Sequence, residues 1–208
     1  MKIAILGAAA GLGSQATQQA LLKGHQVTAL SLNPENIPLH PNLNVIKGSA
    51  TSNTDVARAI AGTDAVLITI GTKQKKGTTL FSEMAKAVVS AAESLSYSNP
   101  VIVVSGFGVG ESSRYLSLYM KVVINLFLKD QYNDKGRMEH IFAQSTLAWE
   151  IIRPGILTNT PSDTSYNLYT SLFKGMKVGR IARADVAHYM LAEAQAPKHL
   201  KSRVAITY

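Results

Sequence analysis

The chain has no cysteine among its 208 residues. That absence excludes disulfides, thiolate zinc sites, iron–sulfur clusters and cysteine nucleophiles, and it suits a reducing cytoplasm, the expected location. No run approaches the ~20 apolar residues of a membrane-spanning helix, so stable membrane insertion is not expected. Acidic residues are scarce. Thirteen Asp and Glu stand against 21 Lys and Arg, a net charge of +8. Such an excess favours anionic partners: nucleic acid, a membrane surface or phosphate-bearing small molecules. The cations are scattered, apart from Lys73, Lys75 and Lys76 and a richer C-terminal part (Lys174, Lys177, Arg180, Arg183, Lys198, Lys201, Arg203). Without an arginine-rich run or an aromatic-interleaved basic stripe, nucleic acid is not expected as a partner. The five histidines (25, 40, 140, 188 and 199) show no ligand-like spacing, and no metal is assigned. There is no internal repeat, low-complexity segment or linker, so residues 1–208 read as one domain.

Short apolar, β-branched runs recur at Lys2–Leu6, Gln26–Leu30, Leu43–Ile46, Ala65–Ile70, Val101–Val104, Glu150–Ile152 and Val204–Thr207. Helix-favouring tracts lie between most of them: Ser14–Lys23 ending at Gly24, Thr54–Ala61 ending at Gly62, and the alanine-rich Leu80–Leu95. Strands alternating with helices predict a three-layer, doubly wound α/β domain with a parallel sheet. Trp149 is expected in the core at the start of a strand. Two regions depart from the alternation. Ser113–Leu128 is strongly apolar and reads as a helix packed over the sheet edge, with a membrane-surface or subunit contact as alternatives. Thr158–Met176 is a long polar excursion of the kind that shapes a pocket or lid.

Between the first strand and the first helix lies "GAAAGLG". Lys2 and the apolar residues after it have the outline of a secretory signal, but three glycines interrupt them, and the strand reading is preferred. After the first strand of a parallel sheet, such a turn exposes unpaired helix N–H groups to an anion, and glycine lets the backbone approach a pyrophosphate. Gly7, Gly11 and Gly13 read as G-x-x-x-G-x-G; Gly7, Ala10 and Gly13 read as G-x-x-A-x-x-G. Ala9 and Leu12 complete the candidate cradle. A tight turn without a ligand is the competing explanation.

The chain resembles the atypical short-chain dehydrogenase/reductase family, in its small NAD(P)H-binding group of flavin reductase-like, biliverdin reductase B-like and NmrA-like proteins. The likeness is carried by "KIAILGAAAGLGSQATQQALLKGHQVTAL", "GTDAVLITIGT", "VIVVSGFGVGES", "NDKGRMEHIFAQSTLAWEIIRPGIL" and "IARADVAHYML". It implies a Rossmann-like domain whose dinucleotide runs past Gly71 and Thr72, then Ser105, Gly106 and Phe107, and then Pro154, Gly155 and Ile156, where backbone groups can hold a carboxamide. At the adenosine end it implies Ser31, Leu32 and Asn33 after the second strand, and Ser49 and Ala50 after the third. The family's arginine is here Leu32 and its aspartate is Ser49. Ser31 and Asn33 can donate to a phosphate, and the nearest acid is Glu35, so NADP (NADPH) is favoured over NAD.

The larger branch of the superfamily protonates its product with a Tyr-x-x-x-Lys pair. Four positions after Tyr97, Tyr115, Tyr119, Tyr132, Tyr166, Tyr169 and Tyr189 stand Val101, Tyr119, Val123, Gly136, Thr170, Phe173 and Glu193, and Tyr208 is terminal. A conjugated acceptor such as a flavin, quinone or bilin spreads the charge of a hydride and needs positioning more than protonation. The expected function is hydride transfer from NAD(P)H to such an acceptor. A non-catalytic redox sensor of the NmrA type is the alternative. Ser105 and Lys135 are the catalytic candidates. The Ser105 hydroxyl can touch the nicotinamide or merely satisfy the glycine turn after it. Lys135 stands four before Glu139, a spacing that also makes an ordinary helical ion pair worth a few tenths of a kcal/mol. Lys73, Lys75 and Lys76 are a solvated cluster or an anion clamp. Asp185 is expected to cap the last helix or favour its dipole.

Overall fold

Each apolar run pairs with its neighbours because β-branched side chains pack well on a pleated surface buried on both faces. The computed structural model describes residues 1–208. In chain order the elements are β1 (Lys2–Leu6), α1 (Gly11–Leu22), β2 (Gln26–Ser31), β3 (Leu43–Lys47), α2 (Asn53–Ile60), β4 (Ala65–Ile68), α3 (Leu80–Ser94) and β5 (Val101–Val104). Then come a 3-10 turn (Gly110–Tyr115), α4 (Leu118–Val123), a π-helical turn (Ile124–Leu128), α5 (Lys129–Gln144), β6 (Trp149–Pro154), β7 (Ile156–Thr158), β8 (Asn167–Tyr169), β9 (Arg180–Ala182), α6 (Arg183–Gln195) and β10 (Ser202–Thr207). Eight strands form one sheet in the order β3-β2-β1-β4-β5-β6-β10-β8. All its pairings are parallel except β10 with β8, and β7 and β9 form a separate two-stranded ladder. The expected doubly wound α/β sheet is therefore present, with an antiparallel edge that the chain's alternation did not announce.

Two cores flank the sheet. On one face α2, α3 and α5 bury Val56, Phe81, Met84, Met138 and Phe142 with Trp149 at the start of β6. On the other, α1 and α6 bury Leu12, Ala16, Val186, Met190 and Leu191. α5 is fastened to α3 by a carboxylate. Asp134, fully buried, accepts the N–H groups of Phe81 and Ser82 at 2.8 and 3.4 Å, supplying from another helix the cap that Thr79 does not give α3.

The Ser113–Leu128 expectation is corrected. The segment is a 3-10 turn, a short α-helix and a π turn, and of residues 118–128 only Ile124 is buried. Leu118, Tyr119, Val122, Leu126 and Phe127 face solvent, because none of the three apolar clusters extends to them. Asp185 meets one of its two expectations: it stands in the first turn of α6, where its charge favours the dipole. Its carboxylate does not cap α6; it gathers the Ser162 and Tyr208 hydroxyls and the N–H groups of Asp163 and Thr164. Burial works to raise its pKa, yet these four donors hold it below the ordinary aspartate value. The polar 158–176 excursion is thereby tied to the first turn of α6.

One buried cation joins the parts of the sheet edge. Arg153 of β6 is 2% exposed and bonds Glu139 of α5 (Nε to Oε1, 3.0 Å) and Glu111 of the 3-10 turn (Nη1 to Oε1, 2.7 Å). Arg203 of β10 shares Glu139 at 3.2 Å. Both glutamates thus have charged donors.

The glycines yield a stability test. A Cβ on Gly13 would lie 2.0 Å from the Gly7 carbonyl oxygen, whereas one on Gly24, at φ +76°, would meet nothing within 4 Å. Gly13→Ala should cost about 3 kcal/mol or more in urea denaturation, and Gly24→Ala about 1–2 kcal/mol from its left-handed backbone alone. Equal costs would show that the turn is not packed as described.

Candidate functional site

The sheet reverses its order between β1 and β4, where β2 lies beyond one and β5 beyond the other. Open α/β sheets leave a crevice there, at the carboxyl ends of the strands. The glycine turn occupies it. Gly7 and Gly11 have φ of +89° and +54°. Gly13 brings α1 onto the turn, its absent Cβ leaving room for the Gly7 carbonyl and the Thr69 hydroxyl. Of the two spacings read from the sequence, Gly7 and Gly13 are therefore required by packing, while a Cβ on Gly11 would come no closer than 3.6 Å to Arg183. Ala10, extended and exposed, is the N-cap residue of α1. It offers no side-chain hydrogen bond, and no acid stands in the first turn. The helix start therefore presents unsatisfied N–H groups and positive dipole to an anion.

The remaining candidates follow successive strands along the same edge. Ser31 closes β2, with Leu32 and Asn33 exposed beyond it, and the Asn33 N–H donates to Ser31 Oγ at 3.3 Å. Glu35, the acid that would compete with a phosphate, is bound to Lys47 at 3.2 Å; Lys47 lies opposite Ser31 in the β2–β3 register. Lys47 was not signalled by any motif, since only the strand pairing brings it there. Ser49 and Ala50 form the turn after β3, with Ser49 Oγ 2.8 Å from the Thr51 hydroxyl. Gly71 and Thr72 leave the sheet after β4, and Gln131 of α5 donates to the Thr72 and Gln74 carbonyls at 3.3 and 2.7 Å. Lys73, Lys75 and Lys76 are exposed on that loop.

After β5 the arrangement becomes chemical. Lys135 Nζ donates to the Ser105 carbonyl at 2.8 Å and lies over the Phe81 ring, 5.1 Å from its centre. The ordinary Lys135–Glu139 ion pair, the competing explanation of their spacing, does not form, because Glu139 is taken by Arg153 and Arg203. Burial lowers the Lys135 pKa to about 8, against the raising field of Glu139. The Ser105 hydroxyl is buried without a hydrogen-bond partner, so it does not satisfy the glycine turn after it. Beside it, a Cβ on Gly106 would lie 3.6 Å from both Lys135 Nζ and the Tyr132 hydroxyl. Tyr132 was missed in the sequence because it stands three residues before the lysine, not four; i,i+3 neighbours also share a helix face. Burial pushes its phenol pKa up, keeping the proton on.

Phe107 packs against Met176 and Ala205. The expectation for residues 154–156 is narrowed: the N–H groups of Gly155 and Ile156 are already bound to the Ile206 and Gly179 carbonyls at 3.1 and 2.8 Å, and the Pro154 carbonyl accepts from Phe107. This leaves those two N–H groups unavailable to a carboxamide. Arg183 was also missed as a site residue. It bonds the Leu157 carbonyl and Asn159 Oδ1 at 3.3 and 2.8 Å and sets a cation beside Gly11.

A nicotinamide dinucleotide fits these residues: an uncapped helix start for its pyrophosphate and, two strands away, a serine with an unpartnered hydroxyl whose carbonyl holds a half-buried ammonium. A switch-point crevice lined in this way defines a dinucleotide-binding Rossmann-like domain. The comparisons with known proteins agree. The model of a family described as NAD(P)H-binding matches residues 7–197, and the chain belongs to that family. A curated 3-beta-hydroxysteroid dehydrogenase of Mycolicibacterium neoaurum is 31% identical over 68 residues; the match takes in 33% of this chain and only 19% of that protein. Among solved structures, the oxidoreductase ylbE of Lactococcus lactis is similar at a TM-score of 0.85 and 18% identity, over 100% of this chain and 90% of that one. ChuY, an anaerobillin reductase of Escherichia coli O157:H7, is similar at 0.83 and 22%, over 100% and 97%. A Veillonella parvula short-chain dehydrogenase/reductase in complex with NADP is similar at 0.80 and 20%, over 100% and 94%. At these identities the likeness to the solved structures is one of fold.

Ala10→Asp separates folding from binding. The new carboxylate would cap α1, adding about 0.5–2 kcal/mol of stability, and would occupy the anion position with negative charge. Calorimetric titration should show NADPH and NADH binding lost while the melting temperature holds or rises. Retained binding would remove the turn from the site.

Proposed function

We propose that the protein is an NAD(P)H-dependent oxidoreductase that delivers hydride to a conjugated acceptor of the flavin, quinone or bilin type. One observation carries this reading: the half-buried Lys135 ammonium bonded to the carbonyl of Ser105, whose hydroxyl is unpartnered, two strands from the glycine turn. NAD(P)H supplies the hydride when bound. The glycine turn, with the N-terminus of α1, holds the pyrophosphate. Ser105 Oγ donates to the nicotinamide or to the acceptor. An acceptor that gains hydride gains negative charge, and a desolvated cation such as Lys135 stabilises that charge more than it would in water. Tyr132, protonated and on the same side, can supply a proton that the sequence alone gave no reason to expect. The names of the structural neighbours, among them an anaerobillin reductase, are consistent with this class of reaction.

Lys135 tests the reading. With NADPH and FMN or a quinone, Lys135→Met should lower kcat by about 100-fold with nucleotide affinity largely kept. In the wild type, kcat/KM should fall above pH about 8, as Lys135 in the free enzyme loses its proton. Lys135→Arg should retain charge and move that limb to higher pH. Tight nucleotide binding without turnover with any acceptor would instead favour the NmrA-type sensor.

We also read the adenosine end as selecting NADP. Ser31 and Asn33 offer donors, and Lys47 neutralises Glu35 and adds a cation opposite Ser31. Lys47→Glu should weaken NADPH binding about tenfold, the scale of one lost charged hydrogen bond, and leave NADH binding nearly unchanged. An unaltered affinity ratio would overturn the preference.

A further inference from the structure

At the opposite edge of the sheet, far along α6 from the glycine turn, the chain brings together Glu150 of β6, Glu193 near the end of α6, and His199 in the turn before β10. One oxygen or nitrogen of each lies within 4.8 Å of the other two. We propose that these three residues form a divalent-metal site, best matched to Zn2+.

The cluster is not a set of solvated surface acids. Glu150 is 0% and Glu193 3% exposed. Each carboxylate has one oxygen committed to a neutral donor and the other left toward the cluster. Glu150 Oε1 accepts the Tyr189 hydroxyl at 2.7 Å, while Oε2 is buried without any partner. Glu193 Oε2 accepts the N–H groups of Lys198 and His199 at 2.8 and 3.2 Å, and Oε1 lies 3.0 Å from His199 Nδ1. Two buried carboxyl groups that face one another hold either a shared proton or a cation between them.

The donor set suits zinc, which takes carboxylate oxygen and imidazole nitrogen from three protein ligands with a fourth position for water. Calcium and magnesium, which prefer all-oxygen shells, suit it less. The outer shell is already built, since Tyr189 and the 198–199 N–H groups orient the two carboxylates. His199, a quarter exposed, gives the ion a way in from solvent. As the ion binds, the proton held between the two carboxyls leaves to solvent, and His199 coordinates through its Nδ1 lone pair with the ring proton on Nε2. The bound ion would tie the end of α6 and the 196–201 turn to β6.

The test is a calorimetric titration of the chelator-treated full chain with ZnCl2, paired with MgCl2, and with melting curves for every variant. The expected result is one Zn2+ per chain, with a higher melting temperature on loading and little response to Mg2+. Glu150→Gln keeps the Tyr189 hydrogen bond and should still fold, yet it should weaken Zn2+ at least about tenfold. His199→Ala, at the solvent side, should do the same, and His140→Ala, an exposed histidine outside the cluster, should do nothing. The proposal is overturned if the wild type binds no Zn2+ at about 1 mM. It is equally overturned if binding survives both cluster substitutions or is lost in His140→Ala.

Discussion

The candidate site depends on a guanidinium that never reaches it. Arg153 is buried between Glu139 and Glu111, so β6, α5 and the 3-10 turn must all arrive in register for its charge to be matched. A buried cation with one partner removed costs about 3–5 kcal/mol, enough to make near-miss arrangements of these elements unfavourable. Its neighbours are the parts to which we assign the proposed chemistry. Lys135 lies one helical turn before Glu139, Ser105 to Gly110 lead into the turn bearing Glu111, and Pro154 follows Arg153 directly. By claiming Glu139, the arginine also denies Lys135 its helical ion-pair partner. The ammonium turns instead to the Ser105 carbonyl, where burial weakens its hold on the proton.

α5 is the element through which most of this order passes. Asp134 caps α3, Asp130 accepts the Gly77 N–H, and Gln131 holds the loop after β4. Three consecutive functions of the cofactor edge therefore hang on residues 130–135 of one helix. Its other end meets Arg153. A shift of α5 along its axis would disturb the loop after β4, the start of α3 and the Ser105 contact together, which explains why so many charged side chains fix a helix of modest apolar content.

What could be read from the chain was local. β-branched runs bounded by glycine marked the parallel strands, since a strand buried on both faces must be apolar along its length. The glycine turn was legible because its requirements are met within seven residues. Contacts made across the fold left no such trace. Tyr132 and Lys135 meet on one face of α5 at a spacing other than the one sought. Lys47 comes beside Ser31 only through the β2–β3 register, and Arg183 reaches Gly11 only because α6 packs on α1. Glu150, Glu193 and His199 come from three elements, so no spacing in the sequence joins them. The apolar stretch at 113–128 misled for a related reason: its composition resembles a covered helix, but no apolar cluster of the fold extends to its exposed residues.

The packing at Gly13 bears on how this protein can change over generations. Every amino acid other than glycine carries a Cβ, so no replacement of the residue at position 13 is neutral. Ala10, three residues earlier, is free of that restriction because its side chain points into open space at the start of α1. Lineages descended from this chain can thus explore new residues on the rim of the turn, and with them new anion preferences, while its hinge with the helix stays frozen. The most variable and the least variable positions of the site are expected to be near neighbours in sequence.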